Sequence, residues 1–167
     1  MSEITTFEAL KVQRQFLNAL EDLGISKPTD IQKDVIPLVQ SGQDIIGIAP
    51  TGTGKTLSFV LPVLTKLKYA QGNQLRAIIF APSKELVLQI HDDIVKTCKY
   101  TDLRVSSIYG GVGAKAQVEK INAGLDVLVA TPGRFMDLYL KGDIDLKQVK
   151  TMVLDEADKL MDMGFMP

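Results

Sequence analysis

A glycine-rich segment that ends in lysine and threonine could bind a phosphate chain. Residues 50–56 read Pro-Thr-Gly-Thr-Gly-Lys-Thr, after an apolar run at 44–49 that predicts a β-strand and before a helical pattern. The two glycines permit positive φ, so backbone N–H groups can converge on phosphate oxygens at the start of the helix. We expect Lys55 to bind the β and γ phosphates and the Thr56 hydroxyl to ligate Mg²⁺. The predicted nucleotide-binding residues are Ala49, Pro50, Thr51, Gly52, Thr53, Gly54, Lys55 and Thr56.

The strict form of this phosphate-binding pattern, the P-loop, has glycine at its first position, where this chain has Ala49. The alternative interpretation is a glycine-rich turn with an exposed lysine. The predicted strand before the segment and the predicted helix after it favour phosphate binding, because a P-loop requires that context.

An acidic pair follows the last apolar run of the chain. Met152, Val153 and Leu154 predict a buried strand that carries Asp155 and Glu156 at its carboxyl end. Carboxylates there are costly without a partner, and a magnesium ion shared with the threonine of the glycine-rich segment would supply one. We expect Asp155 to hold the metal largely through its water shell and Glu156 to deprotonate the attacking water. The alternative is an ordinary helix start, with an N-cap Asp and a first-turn Glu.

The rest of the chain alternates short β-branched runs with longer stretches of helical period. This pattern is typical of a parallel sheet covered by helices on both faces, so the predicted fold class is α/β. Ligands of such sheets bind beyond the carboxyl ends of the strands. The predicted strands are 44–49, 76–81, 104–109, 126–130 and 151–155. The predicted helices span 12–23, a stretch from about Pro28, and about 56–68, 84–99, 114–123 and 134–141.

The composition limits the other functional classes. The chain has 167 residues, 46% of them hydrophobic, and a net charge of −1, so it is long enough for a sizeable core and any nucleic-acid site must be local. A single cysteine excludes an internal disulfide. No apolar run is long enough for a membrane span, and the first ten residues lack the pattern of a signal peptide, so we expect a cytoplasmic protein without membrane contact.

The order of several motifs resembles the DEAD-box RNA helicases along nearly the whole chain. Residues 155–158 spell Asp-Glu-Ala-Asp, the tetrapeptide that names that family, and residues 24–32 are similar to its Q motif. The resemblance implies that Gln32 reads the adenine edge, for which an amide has the matching donor and acceptor, and that Phe7 stacks on the adenine face. Ile25 departs from the aromatic usual in the family. Without the family, Gln32 would be part of a helix start and Phe7 a core residue.

Three more segments resemble the RNA-contacting motifs of the family, and each follows a predicted strand. Glycines and helix N-termini can approach phosphates closely, while hydroxyl and guanidinium groups add donors, so the backbone of RNA rather than its bases would be read. Lys84 stands where the family usually has arginine, which keeps the charge but loses the bidentate fork. The RNA-binding residues that the resemblance implies are Pro82, Lys84, Gly110, Gly111, Thr131, Gly133 and Arg134.

The resemblance implies a RecA-like fold and an ATP-dependent RNA helicase that uses Mg²⁺. It divides the chain into a helical lead-in at 1–43 with the Q motif and a RecA-like ATP-binding core at 44–167. The family's Ser-Ala-Thr motif and second RecA-like domain do not occur within this sequence, so we expect a monomeric fragment with little activity alone, because that domain supplies arginine fingers in relatives.

Two other functional classes stay open. The first comprises different P-loop enzymes, namely a superfamily 2 DNA translocase or a P-loop kinase. Glu156 beside Asp155 disfavours the kinase. The second is a non-hydrolysing ATP-dependent RNA clamp, which the intact set of Lys55, Thr56, Asp155 and Glu156 disfavours.

Overall fold

The computed structural model describes residues 6–164, and these fall into two compact units. Unit 1 comprises Met1–Lys68 and Asp93–Asp102, and unit 2 comprises Tyr69–Asp92 and Leu103–Pro167. The glycine-rich segment and the helix after it group with the first two helices in unit 1. The predicted division into a lead-in at 1–43 and a core at 44–167 stays a prediction. The ends of the predicted segments, 1–5 and 165–167, lie outside the described residues.

Unit 1 is built from three helices that precede the sheet in the chain. They are α1 (Arg14–Asp22), α2 (Asp30–Gln40) and α3 (Lys55–Leu67). The first helix buries Phe16, Ala19 and Leu20 on one face, as its period predicts, and the chain leaves it through a glycine at position 24 with φ +70°. All three predicted helices of this part of the chain are therefore confirmed.

The predicted strand at 44–49 is wrong. Residues 43–50 form neither helix nor strand, and Ile46 and Ile48 are more than 90% exposed. A strand exists only through hydrogen bonds to a neighbouring strand, and no described strand pairs with this segment. High β propensity alone is therefore not enough to make this segment a strand.

Unit 2 contains a four-stranded parallel sheet flanked by helices. Its strands are β1 (Ala77–Phe80), β2 (Val105–Ile108), β3 (Val127–Ala130) and β4 (Thr151–Leu154), in the spatial order β2-β3-β1-β4. The connecting helices are α4 (Lys84–Thr97), of which residues 93–97 fall in unit 1, α5 (Lys115–Asn122) and α6 (Pro132–Leu140), and the short α7 (Ala157–Asp162) follows the last strand. The remaining predicted strands and helices are thus confirmed, while α7 was not predicted. No helix within 6–164 is long and apolar enough to cross a membrane.

The burial of each strand follows its place in the sheet. The two central strands, β1 and β3, are buried at every residue, as expected where helices cover a parallel sheet. The outer strand β4 alternates, and its Met152 and Leu154 are about half exposed. The core of unit 2 includes an edge-to-face contact between Phe80 and Phe135, with ring centroids 4.9 Å apart.

A buried carboxylate holds the amino ends of three strands together. Asp126, which is 0% exposed, accepts hydrogen bonds from the guanidinium groups of Arg76 and Arg104, the closest at 2.7 and 2.9 Å. It also accepts from the backbone N–H groups of Arg104 and Gln71. Its own backbone carbonyl accepts from Ala77 N–H, at the start of β1. One side chain therefore joins the starts of β1, β2 and β3.

Removal of this carboxylate should destabilise unit 2 strongly. Asp126→Ala leaves two guanidinium groups without their common partner and should lower the free energy of unfolding by about 3 kcal/mol, near the low end for a broken buried ion pair because both arginines stay partly solvated. Urea unfolding followed by circular dichroism measures the change. The control is Asp137→Ala at an exposed position of α6, which should cost under about 0.5 kcal/mol. Equal losses in the two variants would contradict the structural role.

The same carboxylate should make stability depend on pH. Burial raises the pKa of Asp126, whereas the hydrogen bonds from Arg104, Arg76 and Gln71 lower it. The hydrogen bonds together have the larger effect, so the pKa lies below its ordinary value. A carboxylate with a depressed folded pKa contributes stability above the unfolded pKa of about 3.9 and loses it as pH falls through the folded pKa. The difference in unfolding free energy between wild type and Asp126→Asn should therefore shrink below about pH 4. A difference that stays constant from pH 7 to pH 2.5 would refute this linkage.

Candidate functional site

The glycine-rich segment in unit 1 has the conformation that an anion-binding loop requires. Gly52 and Gly54 have φ of +79° and +80°, which confirms the predicted left-handed backbone, and Gly54 is the N-cap of α3. The Thr53 hydroxyl donates to the carbonyl of Pro50 at 2.7 Å and closes the loop on itself. The first N–H groups of α3 therefore start directly behind two glycines, where the positive end of the helix dipole favours a phosphate.

The side chain of Gln32 stabilises this loop by a hydrogen bond to its backbone. Its side-chain amide donates to the carbonyl of Gly54 at 2.9 Å, and its carbonyl oxygen accepts from the backbone N–H of Thr29 at 3.0 Å. The side chain is 2% exposed. It therefore ties the start of α2 to the N-cap of α3, a role that the sequence did not predict. Its predicted contact with adenine stays a prediction, for which the amide keeps one N–H and one lone pair.

The other predicted nucleotide-binding residues of unit 1 differ in exposure. Lys55 and Thr56, in the first turn of α3, and Ala49 are half-buried, whereas Pro50 and Thr51 are exposed. Phe7 is 2% exposed, as the alternative of a core residue would have it. Stacking on adenine needs an accessible ring face, so this contact stays a prediction.

The acidic pair in unit 2 stands directly after β4. The backbone N–H of Asp155 donates to the carbonyl of Phe80, which aligns the ends of β4 and β1, and its side chain is 7% exposed. Glu156 has φ 50° and ψ 50°, a left-handed conformation that is uncommon for a residue with a Cβ atom. Its backbone N–H donates to Asp155 Oδ1, and its carboxylate accepts from Lys159 Nζ at 2.8 Å, which raises the pKa of that lysine. Backbone strain of this kind concentrates at functional sites.

The three segments predicted to contact RNA lie at the same edge of the sheet as the acidic pair. All four strands are parallel and in register, so their carboxyl ends, Phe80, Ile108, Ala130 and Leu154, stand side by side. Pro82 and Lys84 follow β1, Gly110 and Gly111 follow β2, and Thr131, Gly133 and Arg134 follow β3. The sequence therefore predicted correctly that these residues gather at one edge.

Two residues that the sequence did not single out connect these segments. The ammonium of Lys84 stands 5.1 Å from the centre of the Tyr109 ring, and the Tyr109 carbonyl accepts from the side-chain amide of Gln117 at 3.2 Å. The carbonyl oxygen of Gln117 faces a guanidinium nitrogen of Arg134 at 3.4 Å. The same guanidinium donates to the carbonyl of Val112 at 2.9 Å. No pattern in the sequence marks these long-range pairs.

The residues predicted to hold Mg²⁺ carry suitable oxygen donors. Thr56 supplies a hydroxyl in unit 1 and Asp155 a carboxylate in unit 2. Magnesium prefers one or two such ligands together with substrate phosphates and waters. Among residues 6–164 no group of three His, Cys, Asp or Glu side chains could form an all-protein metal site. The donor set therefore fits a metal that arrives with a nucleotide, and the shared ion stays a prediction.

Comparison with known proteins decides the family. The family profile described as DEAD/DEAH box helicase matches residues 29–167. This chain belongs to the DEAD/DEAH box helicase family. Among relatives of this chain, the ATP-dependent RNA helicase DBP2 of Encephalitozoon cuniculi is 40% identical over 98% of the chain. The ATP-dependent RNA helicase RhlB of Pseudomonas putida is 42% identical, again over 98% of the chain.

A solved structure supports the fold of this chain. The crystal structure of a DEAD box protein from the hyperthermophile Methanococcus jannaschii matches with a TM-score of 0.90 and 37% identity over 97% of the chain. The predicted RecA-like α/β class is therefore confirmed. The chain spans 34% and 43% of the two curated relatives and 44% of the solved chain, which is less than half of each.

The two loop glycines should respond differently to the same substitution. Gly52→Ala meets open space and adds only the cost of a left-handed alanine, about 1–2 kcal/mol. In Gly54→Ala the new Cβ would stand 2.5 Å from Gln32 Nε2, so the buried hydrogen bond to Gly54 is also lost, at a further cost of about 1 kcal/mol. Thermal unfolding without nucleotide measures both variants. Equal stabilities would contradict the supporting role of Gln32.

Proposed function

We propose that this chain is the ATP-binding half of an ATP-dependent RNA helicase, in which RNA stimulates ATP hydrolysis and hydrolysis drives local duplex separation. Family membership supports the class of enzyme, and the two relatives described above, both named ATP-dependent RNA helicases, match almost the whole chain. The relatives are more than twice as long, so the second half of the active protein would come from outside these residues. The proposed localisation is cytoplasmic.

The proposed nucleotide is ATP, with Mg²⁺ as its counterion. The N–H groups at the start of α3 and the Lys55 side chain would bind the phosphates, and Thr56 and Asp155 would hold the metal, which neutralises the charge that develops on the phosphates. Glu156 would accept the proton of the attacking water. Its left-handed backbone and its ion pair with Lys159 hold this carboxylate in one orientation after β4. A second RecA-like domain would supply the arginine fingers, worth about 10³- to 10⁵-fold in turnover in related enzymes, so the fragment alone should hydrolyse ATP barely.

The observation that supports a nucleic-acid strand as the second ligand is the shared edge of the sheet. Lys84, Arg134, two glycines and the Thr131 hydroxyl follow three adjacent strands on that edge. Thr131 is the N-cap of α6 but makes no side-chain capping bond, so its hydroxyl is not committed to the helix. These groups match the oxygen acceptors of a sugar-phosphate backbone and offer no set of base-reading amides, so little sequence preference is expected.

The deciding experiment compares the ATPase rate of the full-length protein with no polymer, with single-stranded RNA and with DNA of the same sequence. RNA should stimulate and DNA should not, because the two differ by the 2′-hydroxyl that an RNA-specific surface contacts. Greater stimulation by DNA would favour the translocase. RNA that stays bound with ATP while no phosphate is released would favour the clamp.

Replacement of the proposed base should separate binding from chemistry. Glu156→Gln keeps the size of the side chain but removes the proton acceptor, so kcat should fall about 10²- to 10⁴-fold while the Kd for ATP changes little. Steady-state phosphate release and titration with a fluorescent ATP analogue measure the two quantities in the full-length protein. Asp162→Asn, at an exposed position in α7, the helix that follows Glu156, is the matched control. Lys55→Ala is the control for lost phosphate binding. An unchanged kcat in Glu156→Gln would remove this residue from its role.

A further inference from the structure

The two cations at the proposed RNA edge are joined through one tyrosine. Lys84 begins α4, and its ammonium stands over the ring of Tyr109 at 5.1 Å. Arg134 lies in the first turn of α6 and reaches the carbonyl of the same tyrosine through Gln117. A cation over an aromatic face is attracted by the ring quadrupole and loses rotamer freedom. The tyrosine therefore restricts both charged groups at once, by its ring on one side and by its backbone on the other.

The side-chain amide of Gln117 connects Tyr109 to Arg134. It is 7% exposed, and a buried amide is costly unless both of its ends are hydrogen-bonded. Here the nitrogen donates to the Tyr109 carbonyl and the oxygen accepts from Arg134. The second nitrogen of that guanidinium donates to Val112 in the loop that follows the glycine pair. The guanidinium is consequently fixed in its plane by two acceptors.

We infer that Tyr109 and Gln117 are positioning residues for RNA binding, a role that rests on the proposed function. They set the distance between the Lys84 ammonium and the Arg134 guanidinium, so that a single-stranded RNA backbone meets two pre-oriented cations. Neither residue needs to touch RNA to act. Tyr109 and Gln117 both line an open groove of about 640 Å³. Lys115, Lys120 and Glu119 of α5 line it too, so the groove beside the pair is accessible and its charged side chains sum to one positive charge.

The pairing also compensates for a weakness of lysine. An ammonium on a flexible stem binds phosphate as a point charge and lacks the rigid fork of arginine. The ring of Tyr109 beneath Lys84 supplies part of the missing order, because it lowers the conformational entropy that the side chain loses when it binds. Tyrosine and phenylalanine can both do this, whereas leucine cannot, since only the aromatic face attracts a cation.

The test is the RNA concentration that gives half-maximal ATPase stimulation in the full-length protein, together with kcat at saturating RNA. Tyr109→Leu should raise the half-maximal concentration about two- to fivefold, and Tyr109→Phe should restore it. Gln117→Leu should raise it about two- to tenfold. In both variants kcat at saturating RNA should change less than the half-maximal concentration. The matched control is Tyr69→Leu, at a tyrosine that is 55% exposed in a loop of the same unit.

A double variant distinguishes positioning from general destabilisation. If the ring acts through the lysine, Tyr109→Leu adds nothing to Lys84→Met, because the cation that the ring orders is already gone. Additive effects, a phenylalanine variant as weak as the leucine variant, or a wild-type response in Tyr109→Leu would each overturn the inference and leave the proposed function intact. A wild-type protein whose ATPase does not respond to RNA at all would overturn both.

Discussion

The sheet of unit 2 depends on how one buried negative charge is satisfied. The carboxylate of Asp126 has no access to water, and a charge in that position is tolerable only with charged partners and a full set of hydrogen bonds. Arg76, Arg104 and two backbone N–H groups supply them. Because these donors come from the starts of two other strands and from the loop before β1, the charge is satisfied only when the strand starts are aligned. The hydrogen bonds thereby disfavour any other register.

Alignment at one end of short strands fixes the other end as well. Each strand has four residues and all are parallel, so strands whose amino ends are aligned also have aligned carboxyl ends. The segments that follow the carboxyl ends of the strands carry the two cations, the glycine pair and the acidic pair. The two arginines around the buried carboxylate also hold the carbonyls of Tyr69 and Gly72, which secures the chain just before β1. The chemistry at one edge is thus supported by electrostatics at the opposite edge.

Much of this arrangement could be predicted from local sequence, because it rests on local causes. The four paired strands are short runs in which half of the residues are β-branched. The left-handed backbone at Gly52 and Gly54 follows from the absence of a Cβ atom. The strand at 44–49 was predicted on the same grounds and is absent, since pairing is a property of the neighbour and not of the segment. The contacts of Gln32, Tyr109 and Gln117 escaped for a related reason. Each contact joins residues that are separated in the sequence and meet only after folding. A glutamine or tyrosine within a helical or strand pattern does not indicate which residue it will contact.

Glu156 illustrates how backbone conformation restricts which residue types a position can hold. Its backbone lies in the left-handed region, where β-branched residues are strongly disfavoured and only a few residue types are common. Glycine would relieve the backbone but has no carboxylate, and asparagine suits the backbone but ends one carbon short. If Glu156 has the proposed role, its position must therefore satisfy two independent requirements at once, a left-handed backbone and a side chain that carries a carboxylate.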